Sequence, residues 1–146
     1  MIEKQMTDEQ LTLLLKRSKN IAVVGFSLQT QKPSFYVSLY MHKAGYRVLP
    51  VNPTAAGQPS GIGDEPVYAS VAQAKAACGG AIDIVNVFRR ADQIGPAVTE
   101  AIEAGSACVW MQQGIENDEE AARAQANGLV VVMDKCIKLE HMRLVL

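Results

Sequence analysis

Short apolar runs, each stopped by a turn residue and followed by a helical pattern, recur along the whole chain. The first is Ile21-Ala22-Val23-Val24, ending at Gly25. A run that is apolar on both faces suits a strand at the centre of a parallel sheet. Tyr46 to Val51 repeats it and stops at Asn52-Pro53; Ile82 to Phe88, Ala107 to Met111 and Val130 to Met133 follow. Pro33 fits the first turn of a helix whose stripe is Tyr36, Leu39, Tyr40 and Ala44, ended by Gly45. Ser70-Val71-Ala72-Gln73 is a capping box opening a short helix that ends at Gly79-Gly80. Ile94, Val98, Ala101 and Ile102 share one side of another, and Asn117-Asp118-Glu119-Glu120 caps an alanine-rich one. Thr7-Asp8-Glu9-Gln10 is a further capping box, opening a helix over residues 8–18, and residues 137–145 are expected as a terminal helix. Residues 54–66, with three glycines and two prolines, read as loop, and Val67-Tyr68 as a brief edge strand. The alternation predicts an α/β fold: a doubly wound parallel sheet with helices on both faces. At 146 residues it is one domain, 1–146.

Composition narrows the function. Fourteen Lys+Arg against fifteen Asp+Glu give a formal net charge of −1, with no basic block. Nucleic acid and anionic membrane are therefore not expected as partners, whereas a small anion held by a few local cations is allowed. Cys78, Cys108 and Cys136 are widely spaced, with no paired spacing for zinc, and fit a reducing compartment. Met1-Ile2-Glu3-Lys4 leads into a polar stretch rather than an export segment. A cytoplasmic location is the expectation.

In a doubly wound sheet the ligand sits beyond the carboxyl ends of the strands, so the residues after each strand carry the chemistry. After the first strand, a dinucleotide site would show G-x-G-x-x-G; here Gly25-Phe26-Ser27-Leu28-Gln29-Thr30 keeps only the first glycine. A helix start near Pro33, with Ser27, Ser34 and Lys32, can still hold a phosphate. After the second strand stand Asn52 and Pro53, where NAD enzymes place an acid for the ribose hydroxyls. Arg89 follows a buried strand and reads either as a ligand contact or as a solvated surface arginine. Arg90 reads as surface, Trp110 as core, and His42 and His141 as structural or exposed. No carboxylate pair is set for acid–base work, and neither a nucleophile elbow nor a Walker loop occurs.

Together these strand ends resemble the small stand-alone CoA-binding proteins, related to the CoA-binding domain of the succinyl-CoA synthetase alpha subunit. The likeness spans roughly residues 10 to 141. It is carried by residues 21–27, Lys32-Pro33-Ser34-Phe35-Tyr36-Val37 and Gly45 to Pro53. Residues 83–90, Val109-Trp110-Met111-Gln112-Gln113-Gly114-Ile115 and Val132 to Cys136 complete it. The resemblance implies a Rossmann-like fold with coenzyme A as cofactor. It implies that Gly25, Ser27, Lys32, Pro33 and Ser34 hold the phosphates, and that Val51, Asn52 and Pro53 line the adenosine side, facing Phe88 and Arg89. Met111 and Gln112 would approach the pantetheine arm, with Cys136 near its end. Lys32 and Lys135 stand where the family usually has arginine, Ile137 replaces a proline, and Ala55 sits where the synthetase subunit has lysine.

The expected function is binding of CoA or an acyl-CoA, without a catalytic set of its own. One alternative is a CoA-binding subunit of a multi-component acyl-CoA ligase or transferase. Another is an NAD(P)-binding oxidoreductase or redox sensor.

Overall fold

A computed structural model describes residues 5–146, so the reading of Met1 to Lys4 lies outside the described residues. Five parallel strands form one sheet: β1 (Asn20–Val24), β2 (Arg47–Val51), β3 (Ile84–Val87), β4 (Cys108–Met111) and β5 (Val130–Val132), in the order β2-β1-β3-β4-β5. Six helices join and flank them: α1 (Asp8–Arg17), α2 (Pro33–Lys43), α3 (Val71–Cys78), α4 (Gly95–Glu103), α5 (Asp118–Ala126) and α6 (Ile137–Leu144). The expected edge strand at Val67-Tyr68 is reduced to one parallel bridge, Val51 to Tyr68. Within residues 54–66 the chain opens with a 3-10 turn, Pro53–Ala55.

The strand alternation divides the core into two layers. Ala22, Val24, Val85, Val87, Val109 and Met111 face α3, α4 and α5. Ile21, Val23, Ile84, Trp110 and Val132 face α1, α2 and α6, against Leu11, Leu14, Leu15, Phe35 and Met41. Each fully buried side chain of this kind contributes about 1.5–3 kcal/mol relative to exposure, so both layers are needed to hold the sheet.

The helix starts follow their capping residues. Thr7 accepts from the Gln10 amide while the Gln10 side chain accepts from the Thr7 amide, completing the box at α1. Ser70 Oγ accepts from Gln73 N at α3, but Gln73 Oε1 accepts from Ala69 N, one residue before the expected partner. At the far edge of the sheet, Asp83 Oδ2 accepts from the amides of Lys19 and Asn20, pinning the start of β1 beside β3.

Register places the site. Val24 pairs with Val51 on one side and with Val87 on the other, and Val87 pairs with Met111. Gly25, Asn52, Phe88 and Gln112 therefore leave the sheet along one edge. The chain leaves β1 toward β2 in one direction and returns at β3 in the other, so the switch point lies between Gly25 and Phe88.

Candidate functional site at the carboxyl edge of the sheet

Gly25 is the pivot of this edge. Its φ is +85°, and a Cβ there would lie 2.8 Å from the Phe88 carbonyl oxygen and 3.1 Å from Arg89 Cδ. Only glycine meets both demands, the left-handed backbone and the close approach. The amides of Gly25 and Phe26 both donate to the Val51 carbonyl at 3.2 Å, binding the turn to the end of β2.

On one side of this turn lies a cleft of about 320 Å³, lined by Gly25, Val51, Asn52, Pro53, Arg89 and Pro96 among others. Asn52 has its side chain committed to the protein: Nδ2 donates to the Phe26 carbonyl at 2.8 Å, and Oδ1 accepts from Thr54 N and Oγ1. Arg89 is exposed and, among the described residues, has no carboxylate partner, whereas Arg90 pairs with Asp92 on the surface. Phe88 is half-buried and packs into the α2 layer instead of lining this cleft.

Between the two sides stands the start of α2. Its N-cap is Lys32, extended at φ −80° and ψ 142°, and no side chain caps the helix. Ser34 is buried, and its Oγ accepts from Ser27 N at 2.9 Å, while Ser27 Oγ accepts from Gln29 N at 3.1 Å. The two hydroxyls thus shape the turn, and the Lys32 ammonium beside the positive helix end makes the place favourable to an anion.

On the other side lies a second cleft of about 320 Å³, between α2 and α6, lined by Pro33, Tyr36, Gln112, Cys136, Lys138 and Leu139 among others. Cys136 is half-buried at the N-cap of α6. Gln112 Oε1 accepts from Asn86 Nδ2 at 3.2 Å and from Ile137 N at 3.3 Å, so this side chain ties β3, β4 and α6 together. The Lys138 ammonium lies 5.6 Å from the Tyr36 ring centre and 5.5 Å from that of Tyr40.

Met111 corrects the sequence reading. It is 0% exposed and packs in the α3–α5 layer, so its side chain cannot approach a ligand. Alternation along β4 sends Trp110 and Gln112 to the face opposite Met111. Trp110 is core, as expected, and its Nε1 donates to the Lys135 carbonyl at 2.8 Å. Asp134, at φ +58°, accepts from Gly114 N through Oδ1 at 2.7 Å and closes the turn after β5. Cys108 is buried and its thiol pKa is raised by that burial. His141 is buried against Tyr40, with Nδ1 2.8 Å from the phenol oxygen; His42 is exposed. Among the described residues no His/Cys/Asp/Glu group could hold a metal, and no helix is long and apolar enough to cross a membrane.

The structure gathers Gly25, Val51, Asn52, Pro53 and Arg89 at one cleft and Pro33, Gln112 and Cys136 at the other, whereas the resemblance groups Gly25 and Pro33 with Ser27, Lys32 and Ser34 around the phosphates. Sequence reasoning missed Tyr36, Lys138 and Leu139 as cleft walls. Tyr36 was assigned to the helix's apolar stripe, and nothing local reveals that α6 docks beside α2.

The family model for the CoA binding domain matches residues 19–142. The chain belongs to that family. The uncharacterized protein YneT of Bacillus subtilis (strain 168) is 40% identical over 128 residues, covering 88% of this chain and 89% of YneT. The structure of cell-free ID.343 from Thermus thermophilus superposes with a TM-score of 0.87 at 34% identity, covering 95% of this chain and 99% of that one. The hypothetical protein from Pyrococcus horikoshii OT3 gives 0.85 at 31% identity, covering 99% of both chains. The fold is the Rossmann-like one of these small proteins.

Proposed function

We propose that this chain binds coenzyme A across the carboxyl edge of its sheet. The observation that carries the reading is the pair of clefts flanking one uncapped helix start. A ligand with a nucleotide head, a charged middle and a long thin arm matches that sequence of surfaces. The adenosine side occupies the cleft at Asn52 and Pro53, the phosphates meet Lys32, Arg89 and the start of α2, and the arm runs toward Gln112 and Cys136. Val51 and Gly25 supply the floor. Ser27 and Ser34 act by shaping the turn, since their hydroxyls already accept bonds from Gln29 N and Ser27 N.

NAD suits the site less well. Its ribose hydroxyls need an acceptor at the end of β2, and the Asn52 amide oxygen is already taken by Thr54. The chain is read as a binding module that delivers or holds the cofactor without chemistry of its own.

Thermal melts with CoA, dephospho-CoA, NAD and ATP test this directly, with native mass spectrometry of freshly purified protein to catch retained ligand. A ligand at 100 times its Kd stabilises by about 2.7 kcal/mol, a melting shift of roughly 5–11 °C for a domain this size. A larger shift with NAD than with CoA overturns the reading.

A further inference from the structure

The second cleft has a polarity of its own. Tyr36 is 44% exposed and Leu139 50% exposed, both unusually open for large apolar side chains, and both line it with Pro33 and Val37. Isolated surface apolar groups need no explanation, but apolar groups gathered in a concavity with a few fixed polar atoms make a ligand site.

Besides the Lys138 ammonium, held over Tyr36 and Tyr40, and the Cys136 thiol, the cleft has one polar side chain oriented by a chain of hydrogen bonds. The Trp110 carbonyl can only accept, so Asn86 must turn its amide nitrogen toward it, at 3.3 Å. Asn86 Nδ2 and Ile137 N can only donate, so Gln112 must turn its oxygen toward them. Gln112 is 5% exposed and lines the cleft. Its Nε2 has no protein acceptor among the described residues and is not among the sealed-off polar atoms, so it is the donor left for the cleft.

We infer that this cleft seats the acyl group of an acyl-CoA thioester, with Gln112 Nε2 donating to the thioester carbonyl and Tyr36 and Leu139 covering the acyl chain. The inference rests on the coenzyme A reading and deepens it, since it makes a thioester, and not the free thiol, the preferred ligand. A free thiol is a weak acceptor and has no carbon chain to cover the apolar walls. Size limits the acyl group. At about 30 Å³ per water-sized group, the cleft takes about ten heavy atoms, of which the thiol-bearing end of the arm uses about four. Short chains of about four carbons fit; long ones overhang into solvent.

Calorimetric titration of the full chain with CoA, acetyl-CoA, butyryl-CoA and octanoyl-CoA tests this. Complete burial of a methylene is worth about fourfold in affinity, and an open cleft about twofold. With the carbonyl hydrogen bond added, butyryl-CoA should bind at least about tenfold tighter than CoA, with no further gain for octanoyl-CoA. Leu139→Ser changes an exposed side chain and should keep the ligand-free melting point while cutting the butyryl-to-CoA affinity ratio below about threefold. Gln112→Glu keeps an acceptor for Asn86 and Ile137 but removes the donor, and should lower the same ratio. If CoA binds and its acyl forms bind no tighter, or if both variants keep the parent ratio, the acyl seat is wrong and coenzyme A binding stands. If no form of CoA binds, the coenzyme A reading itself falls, and the acyl seat with it.

Discussion

The side-chain amide of Asn52 donates to the Phe26 carbonyl at 2.8 Å, tying the end of β2 to the turn that follows β1. Position 52 is where a dinucleotide enzyme would keep its ribose-binding acid; here the same position braces the loop. Asn52→Asp replaces the donor with an acceptor facing a carbonyl oxygen. It should cost about 1–3 kcal/mol, lowering the melting temperature by roughly 2–12 °C. A thermal melt decides it, and an unchanged midpoint would show that the bond contributes nothing.

Gly25→Ala should be more severe. The added Cβ meets the Phe88 carbonyl oxygen at 2.8 Å, and the backbone is already in the left-handed region. The backbone strain alone costs roughly 1–2 kcal/mol, before the two strand ends are forced apart. Melting should fall by more than 4 °C, and CoA should no longer shift it. A variant that melts and binds like the parent would remove Gly25 from its pivotal role.

Lys32 and Arg89 should carry the electrostatic part of binding. Both are exposed and have no carboxylate partner among the described residues. Charged hydrogen bonds to phosphate are worth about 1.5–3 kcal/mol, so Lys32→Ala and Arg89→Ala should each weaken CoA about tenfold or more. Affinity of the parent should fall as salt is raised, and less steeply in each variant. Titrations in which both variants match the parent would place the phosphates elsewhere.

The cysteines should separate by reactivity. Burial raises the Cys108 thiol pKa, so alkylation there should wait for unfolding. Cys136 is half-buried at its cleft and should alkylate in the native protein, more slowly when CoA is present. With CoA disulfide as oxidant, the Cys136 thiolate would attack one sulfur and release one CoA thiol, leaving a protein–CoA mixed disulfide. Intact mass reads this as an adduct on the parent that is missing from Cys136→Ser. An adduct that persists in that variant assigns the reaction to another thiol.

Burial lowers the pKa of His141 below the usual histidine value. The unfolded chain therefore takes up a proton near pH 6.5 before the folded one does. This contribution to stability is complete above about pH 6.5 and is lost as pH falls through the folded pKa. The Asp8 carboxyl, lowered by its hydrogen bond to Arg143, acts only at more acid pH. Melting temperature should decline between pH 7 and pH 5 in the parent and stay flatter in His141→Gln. Parallel profiles would assign the slope to other groups.

The fold was legible because its signals are local. Val–Ile runs ending in Gly25 or Asn52-Pro53, and the polar caps Thr7, Ser70 and Asn117, each announce an element within a few residues. The site was legible only as far as topology carries it: residues after parallel strands share an edge. Which side chains face that edge depends on alternation and on contacts between distant elements. Met111 and Gln112 are neighbours in sequence, yet one is sealed in the core and the other lines a cleft. Lys138 and Leu139 became cleft walls only because α6 comes to rest beside α2. Asn52 reads from the sequence only as a residue of the adenosine side; that its amide is committed to Phe26 does not show, because the partner is a loop carbonyl that no residue pattern identifies.

Both margins of the sheet offer little bare edge. One is β2, which carries Pro50, a residue with no amide to donate, and is bridged at its end by Tyr68; the other is the three-residue strand β5. A parallel sheet with a long bare margin offers a row of unpaired amides and carbonyls on which another chain can add a strand. Here little of that template exists. The domain should therefore remain dispersed at high concentration, and it should tolerate fusion to another protein without seeding fibres.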